Sequence, residues 1–162
     1  MNFIFTMLIS FTLFTIPSGQ PTESSFHENQ QLYASLYKDL QQAANKIEQL
    51  IVKSLPQLPQ EEDYKHYRVA FQDFLKQKRI YDSVTTGDEC VRNTKKFLDE
   101  LMEFISYFIL DHPQTPVAEN VVKICNENGM EAIKADLQTL RSNAELKKIE
   151  KSDFEKYITR NC

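Results

Sequence analysis

Apolar residues along this chain recur at three and four positions rather than at two, and valine, isoleucine and threonine runs bounded by glycine are missing. That is the period of helices with one buried face, so the pattern predicts an all-α fold. A first helix carries Leu32, Leu36, Leu40, Ala43, Ile47, Leu50 and Ser54, widened by Tyr33, Tyr37, Ala44, Ile51 and Leu55. Ser25-Phe26-His27-Glu28 has the spacing of a capping box at its start, and Pro56 stops it. A second begins among Pro59, Glu61, Glu62 and Asp63, where acidic groups oppose the positive end of the helix dipole. It turns Tyr64, Tyr67, Phe71, Phe74, Leu75 and Tyr81 to one side and leaves Lys65, Arg68, Asp73 and Lys76 largely toward water.

Thr86-Gly87-Asp88-Glu89 supplies another capping box, for a third helix running to about Leu110. Its apolar positions, from Val91 and Thr94 through Phe97, Leu98, Leu101, Phe104, Ile105, Phe108 and Ile109, cover more than one stripe, which predicts a central place for it. Asp111-His112-Pro113 ends it, because a residue before proline is pushed out of the helical region. Thr115-Pro116 then reads as a cap followed by proline in the first turn.

Val117, Val121, Ile124 and Cys125 share a face with Gly129, Ile133, Leu137 and Leu140, which favours one continuous or kinked helix to about Arg141. The alternative is a helix end at Asn126-Glu127-Asn128-Gly129, with the glycine left-handed. Ser142-Asn143-Ala144-Glu145 opens a last segment with Leu146, Ile149, Phe154, Tyr157 and Ile158, kinked by a weaker restart at Ser152-Asp153-Phe154-Glu155. The short connections predict an up-and-down bundle of four to five helices in a single domain over residues 20–162.

The first nineteen residues are of another kind. Phe3 to Ile16 carry no charge, are apolar apart from Thr6, Ser10, Thr12 and Thr15, and run into Pro17-Ser18-Gly19. A segment of that length is too short for a bilayer core of about 30 Å and ends in small residues. Residues 1–19 are therefore expected to be a cleaved signal peptide, and the protein to be secreted and extracellular, with no membrane insertion.

The remaining sequence holds all 19 basic and 23 acidic side chains, a mixed and mildly acidic set. Nucleic-acid binding needs a basic face that releases counterions from phosphates, and this balance offers none. No Asn-x-Ser/Thr sequon occurs.

Three cysteines, Cys90, Cys125 and Cys162, lie in the exported part, and an oxidising compartment favours pairing. With a turn at Ser142, Cys125 and Cys162 stand about equally far from it, so Cys125 is the preferred partner of Cys162. Cys90 is the alternative partner, favoured if the chain turns at Gly129. The thiol left over is free or joins two chains into a homodimer.

The chemistry-bearing residues are scattered. His27, His66 and His112 belong to no metal-binding array, and the cysteines show no short-spaced zinc pattern. Glu62 and His66 at i, i+4 read as a solvated surface pair. No nucleophile elbow, phosphate loop or calcium loop occurs. No catalytic residue, metal ligand or cofactor is expected.

The aromatic residues form the unusual stock. They fill the core, or else Phe71, Phe74, Phe97, Phe104 and Phe108 line a pocket between helices for an apolar small molecule such as a lipid. The leading expectation is a non-enzymatic secreted protein that binds a macromolecular partner, as an extracellular signal, effector or structural secretion. The alternative is a carrier of an apolar ligand.

Overall fold

The apolar spacing folds as helices throughout. A computed structural model describes residues 29–110, 114–146 and 151–162, and among these it contains six α-helices and no strand. They are α1 (Gln30–Ser54), α2 (Lys65–Ser83), α3 (Gly87–Phe104), α4 (Pro116–Glu127), α5 (Met130–Leu146) and α6 (Lys151–Asn161). Short 3-10 turns at Leu55–Gln57 and Glu62–Tyr64 join α1 to α2, and α3 continues as a π-helical segment over Ile105–Leu110. The segment expected to be a signal peptide, the capping box at Ser25 and the stop at Asp111-His112-Pro113 lie outside the described residues.

Local signals set most of the boundaries. Pro56 falls in the turn that closes α1 at Ser54. Thr115 caps α4, its hydroxyl accepting from the Ala118 amide at 3.2 Å, and Pro116 follows it at the first helical position. Thr86 occupies the cap position of α3 in extended conformation, but its side chain makes no capping hydrogen bond. The turn into α3 is instead closed by backbone, where Gly87 adopts φ +77° and its amide donates to the Cys162 carbonyl at 3.0 Å.

Two expectations about the second half are corrected. The helix does not continue through Gly129, which takes φ +106°, a conformation that L side chains rarely adopt. Asn128 closes α4 with its side-chain amide on the Ile124 carbonyl at 2.8 Å, and the Gly129 amide donates to the Asn126 carbonyl at 3.1 Å. The capping box at Ser142 starts nothing, because Ser142 to Glu145 lie inside α5. No glycine or proline interrupts Met130 to Leu146, and the stripe of Met130, Ile133 and Leu137 already ties this helix to the core. The described part of α6 begins at Lys151, beside the weaker signal at Ser152. Among the described residues, six helices stand where four to five were expected.

The central position belongs to α1 rather than α3. It packs against α2, α4, α5 and α6, burying Leu40, Ala43, Ala44, Ile47, Leu50 and Ile51. α3 packs chiefly on α2 and also meets α6. α6 rests on α1 and α3, with Tyr33 and Tyr37 of α1 in ring contact with Phe154 and Tyr157. Leu101 and Phe108 are buried as the apolar pattern requires.

Phe71 is fully buried and touches two further rings, so Phe71→Ala removes packing on several sides at once. The expected loss is about 3–5 kcal/mol of unfolding free energy in chemical denaturation. A loss below about 1 kcal/mol would place Phe71 beside space that already exists.

Candidate functional site

The five phenylalanines weighed as pocket lining are brought together, and they face one another. Phe71 lies 5.7 Å from Phe104 and 5.2 Å from Phe108, ring centre to ring centre. Phe74 lies 5.8 Å from Phe97 and 5.0 Å from Phe104, and Phe104 stacks on Phe108 at 4.6 Å. Tyr81 stacks on Phe97 at 4.7 Å and extends the seam along α2. Rings at these separations are in contact, so between these pairs the seam is occupied by its own side chains.

Phe104 and Phe108 stand four residues apart and reach the same partner, Phe71. Tyr107, in the π-helical segment, lies beside α2, where its hydroxyl meets His66 Nε2 at 3.2 Å. His66 therefore engages Tyr107, while Glu62 binds Lys65 at 2.7 Å, so the Glu62/His66 pair read from spacing is not formed. His27 and His112 lie outside the described residues. No group of three or more His, Cys, Asp or Glu among the described residues is arranged to hold a metal ion.

An open groove runs along the outer face of α2, lined by Glu62, Lys65, His66, Val69, Ala70 and Asp73, with a volume of about 530 Å³. Val69 is 46 % exposed in it, and Ile80, further along the same helix, is 36 % exposed. On one flank Arg68 is held by the carbonyls of Pro59, Glu61 and Gln60, which fixes the loop before α2 against the helix. On another lies an acidic cluster. Burial raises the Glu100 carboxyl above its ordinary range, Glu103, Asp73 and Asp99 raise it further, and Lys96 offsets part of this.

One charged residue of the interior escaped the sequence pattern. Lys78 is only 4 % exposed; its Nζ donates to both carboxylate oxygens of Asp82, at 2.7 and 2.5 Å, and pairs ionically with Glu48 at 3.8 Å. Its Nζ also sits over the Tyr81 ring, 5.8 Å from the centre. The signal was present: Lys78 continues the buried row of Phe71 and Phe74 at i+4, with Asp82 one turn beyond. Nearby, the Tyr37 and Tyr81 hydroxyls bond at 2.7 Å and Gln41 donates to Tyr81 at 2.7 Å. Burial, then the bond to Tyr81, pushes the Tyr37 phenol well above its usual range. These groups are paired with one another and tie α1 to α2; no reacting geometry emerges from them.

The cysteines differ from the preferred pairing. Cys90 is bonded to Cys162, with alpha carbons 5.6 Å apart, and Cys125 is free and buried. The equal-distance reasoning for Cys125 assumed a turn at Ser142 that does not exist. The chain turns at Gly129, and α6 packs against α3, where the Gly87–Cys162 backbone bond stands beside the disulfide. Burial pushes the Cys125 thiol up to about 11, and the adjacent Ser54 hydroxyl offsets this only in part. A thiol enclosed in this way does not reach a second chain, so a homodimer linked through the unpaired cysteine is not supported.

Compared with known proteins, the chain matches no family model, no curated protein and no solved structure.

Peptide mapping without reduction is expected to yield a Cys90–Cys162 linked pair, and Cys125 is expected to resist alkylation at neutral pH until the protein is unfolded. A Cys125–Cys162 peptide, or rapid labelling of the native protein at Cys125, contradicts this placement.

Proposed function

We propose that this chain is an exported, non-enzymatic helical bundle that works by binding a macromolecular partner, as an extracellular signal, effector or structural secretion. The observation that carries the reading is the division of α2. Its inner face is closed by rings that pack on each other, while its outer face keeps Val69 exposed in an open groove and Ile80 exposed further along the helix. An apolar row held in water and ending at a concave surface favours a surface partner over an enclosed small ligand.

Export is supported by the uncharged apolar segment from Phe3 to Ile16 and by the Cys90–Cys162 pairing, which suits an oxidising compartment. No helix among the described residues is long and apolar enough to cross a membrane.

Two measurements test this: N-terminal sequencing of the full chain expressed in secreting cells, and native mass spectrometry of protein purified from its own source. Secreted protein beginning at Gly19 or Gln20 is expected, carrying no copurified lipid and associated with a macromolecule. Retention of Met1 on exported protein overturns the cleavage, and a stoichiometric lipid overturns the binding mode in favour of a carrier.

A further inference from the structure

We infer that the outer face of α2 pairs, antiparallel and across a two-fold axis, with the same face of a second copy of this chain. The inference rests on reading that face as a binding surface, and it names the occupant. Val69, Asp73, Lys76 and Ile80 follow one another at steps of four, three and four, so they form a single row on the helix. All four are exposed. The row reads apolar, acidic, basic, apolar, an order that is its own complement when reversed.

Placed antiparallel about a centre between Phe74 and Leu75, Val69 of one copy faces Ile80 of the other, and Asp73 faces Lys76. The two-fold axis repeats both contacts, giving two apolar pairs at the ends and two opposite-charge pairs in the middle. This is the self-complementarity that an isologous interface requires. Shifting the register breaks it, because like charges or an apolar and a charged group then meet.

Two features of the fold fit this occupant. Neither Asp73 nor Lys76 takes part in an ion pair among the described residues, so both charges remain available. Asp73 also adds to the negative charge around Glu100 and Glu103, and the lysine of a second copy answers that charge. The groove at Val69, walled by His66, Ala70 and Asp73, receives the apolar side chain that the register brings to it, which is Ile80 of the second copy. A seam of one helix against its copy lies at the small end of protein interfaces, so the dimer is reversible and concentration-dependent.

Sedimentation equilibrium of the intact, unreduced protein tests this between about 1 and about 500 µM, a range that spans weak association. The wild type is expected to move from monomer toward dimer as concentration rises. Asp73→Lys sets lysine against Lys76 in both halves of the seam, and Lys76→Asp sets aspartate against Asp73. Each is expected to weaken self-association by more than about tenfold while leaving the circular dichroism spectrum unchanged. Mixed in equal amounts, the two variants present only opposite charges to each other and are expected to form a heterodimer at least as readily as the wild type dimerises.

A wild type that stays monomeric throughout overturns the inference, as do single variants that dimerise like the wild type or a mixture that stays monomeric. The broader reading fails separately. A monomer associated with a different macromolecule in the native mass spectrum removes the second copy and keeps surface binding, whereas a stoichiometric lipid removes surface binding itself.

Discussion

The contact of Phe71, Phe74, Phe97, Phe104 and Phe108 with one another fixes how α2 meets α3 and which face of α2 is turned inward. Buried phenylalanine rings offer a large contact area and have no polar atom to satisfy, so they fix the facing surfaces of both helices. Once the inner face of α2 is committed, its opposite face is left to water. The π-helical segment belongs to the same constraint, since it carries Phe108 onto Phe71 and sends Tyr107 out to His66.

α1 closes the interior from another side. Its buried row is broad enough to hold α2, α4, α5 and α6, and the small Ala43 and Ala44 lie within it. Lys78 is the exception that joins the two arrangements. A cation nearly removed from water is retained because Asp82 and Glu48 answer its charge. The disulfide and the Gly87–Cys162 backbone bond then hold α6, which is short for an independent helix, against the start of α3.

The helical class, the stripes of α1, α2 and α3, and the caps at Thr115-Pro116 were legible because each is a local consequence of residue spacing. The path of the second half was not. Gly129 lies on the same apolar row as Cys125 and Ile133, so periodicity argued for continuity, while the left-handed turn depends on Asn128 and on where α5 finds its packing partners. Ser142 to Glu145 satisfied a capping pattern that tertiary packing overrode, and that single error displaced the turn used to pair Cys125 with Cys162. On α2, spacing identified the five rings but not whether they enclosed space, because core and pocket demand the same residues at the same positions. Val69 and Ile80 stand among polar and charged residues, and their common row becomes informative only once both are known to be exposed.

The central claim is that the aromatic seam is full and that the chain acts through its outer surface. Fluorescence titration of the native protein with an apolar naphthalenesulfonate dye tests it most directly, since such dyes light up on entering an apolar cavity and stay dim at a packed interior. A filled seam predicts that any saturable one-to-one enhancement comes from the exposed face of α2 and is lost in Val69→Asp, with none remaining at the interior. Saturable one-to-one binding that remains in fully folded Val69→Asp, and is abolished by displacing it with a long-chain fatty acid, would contradict it.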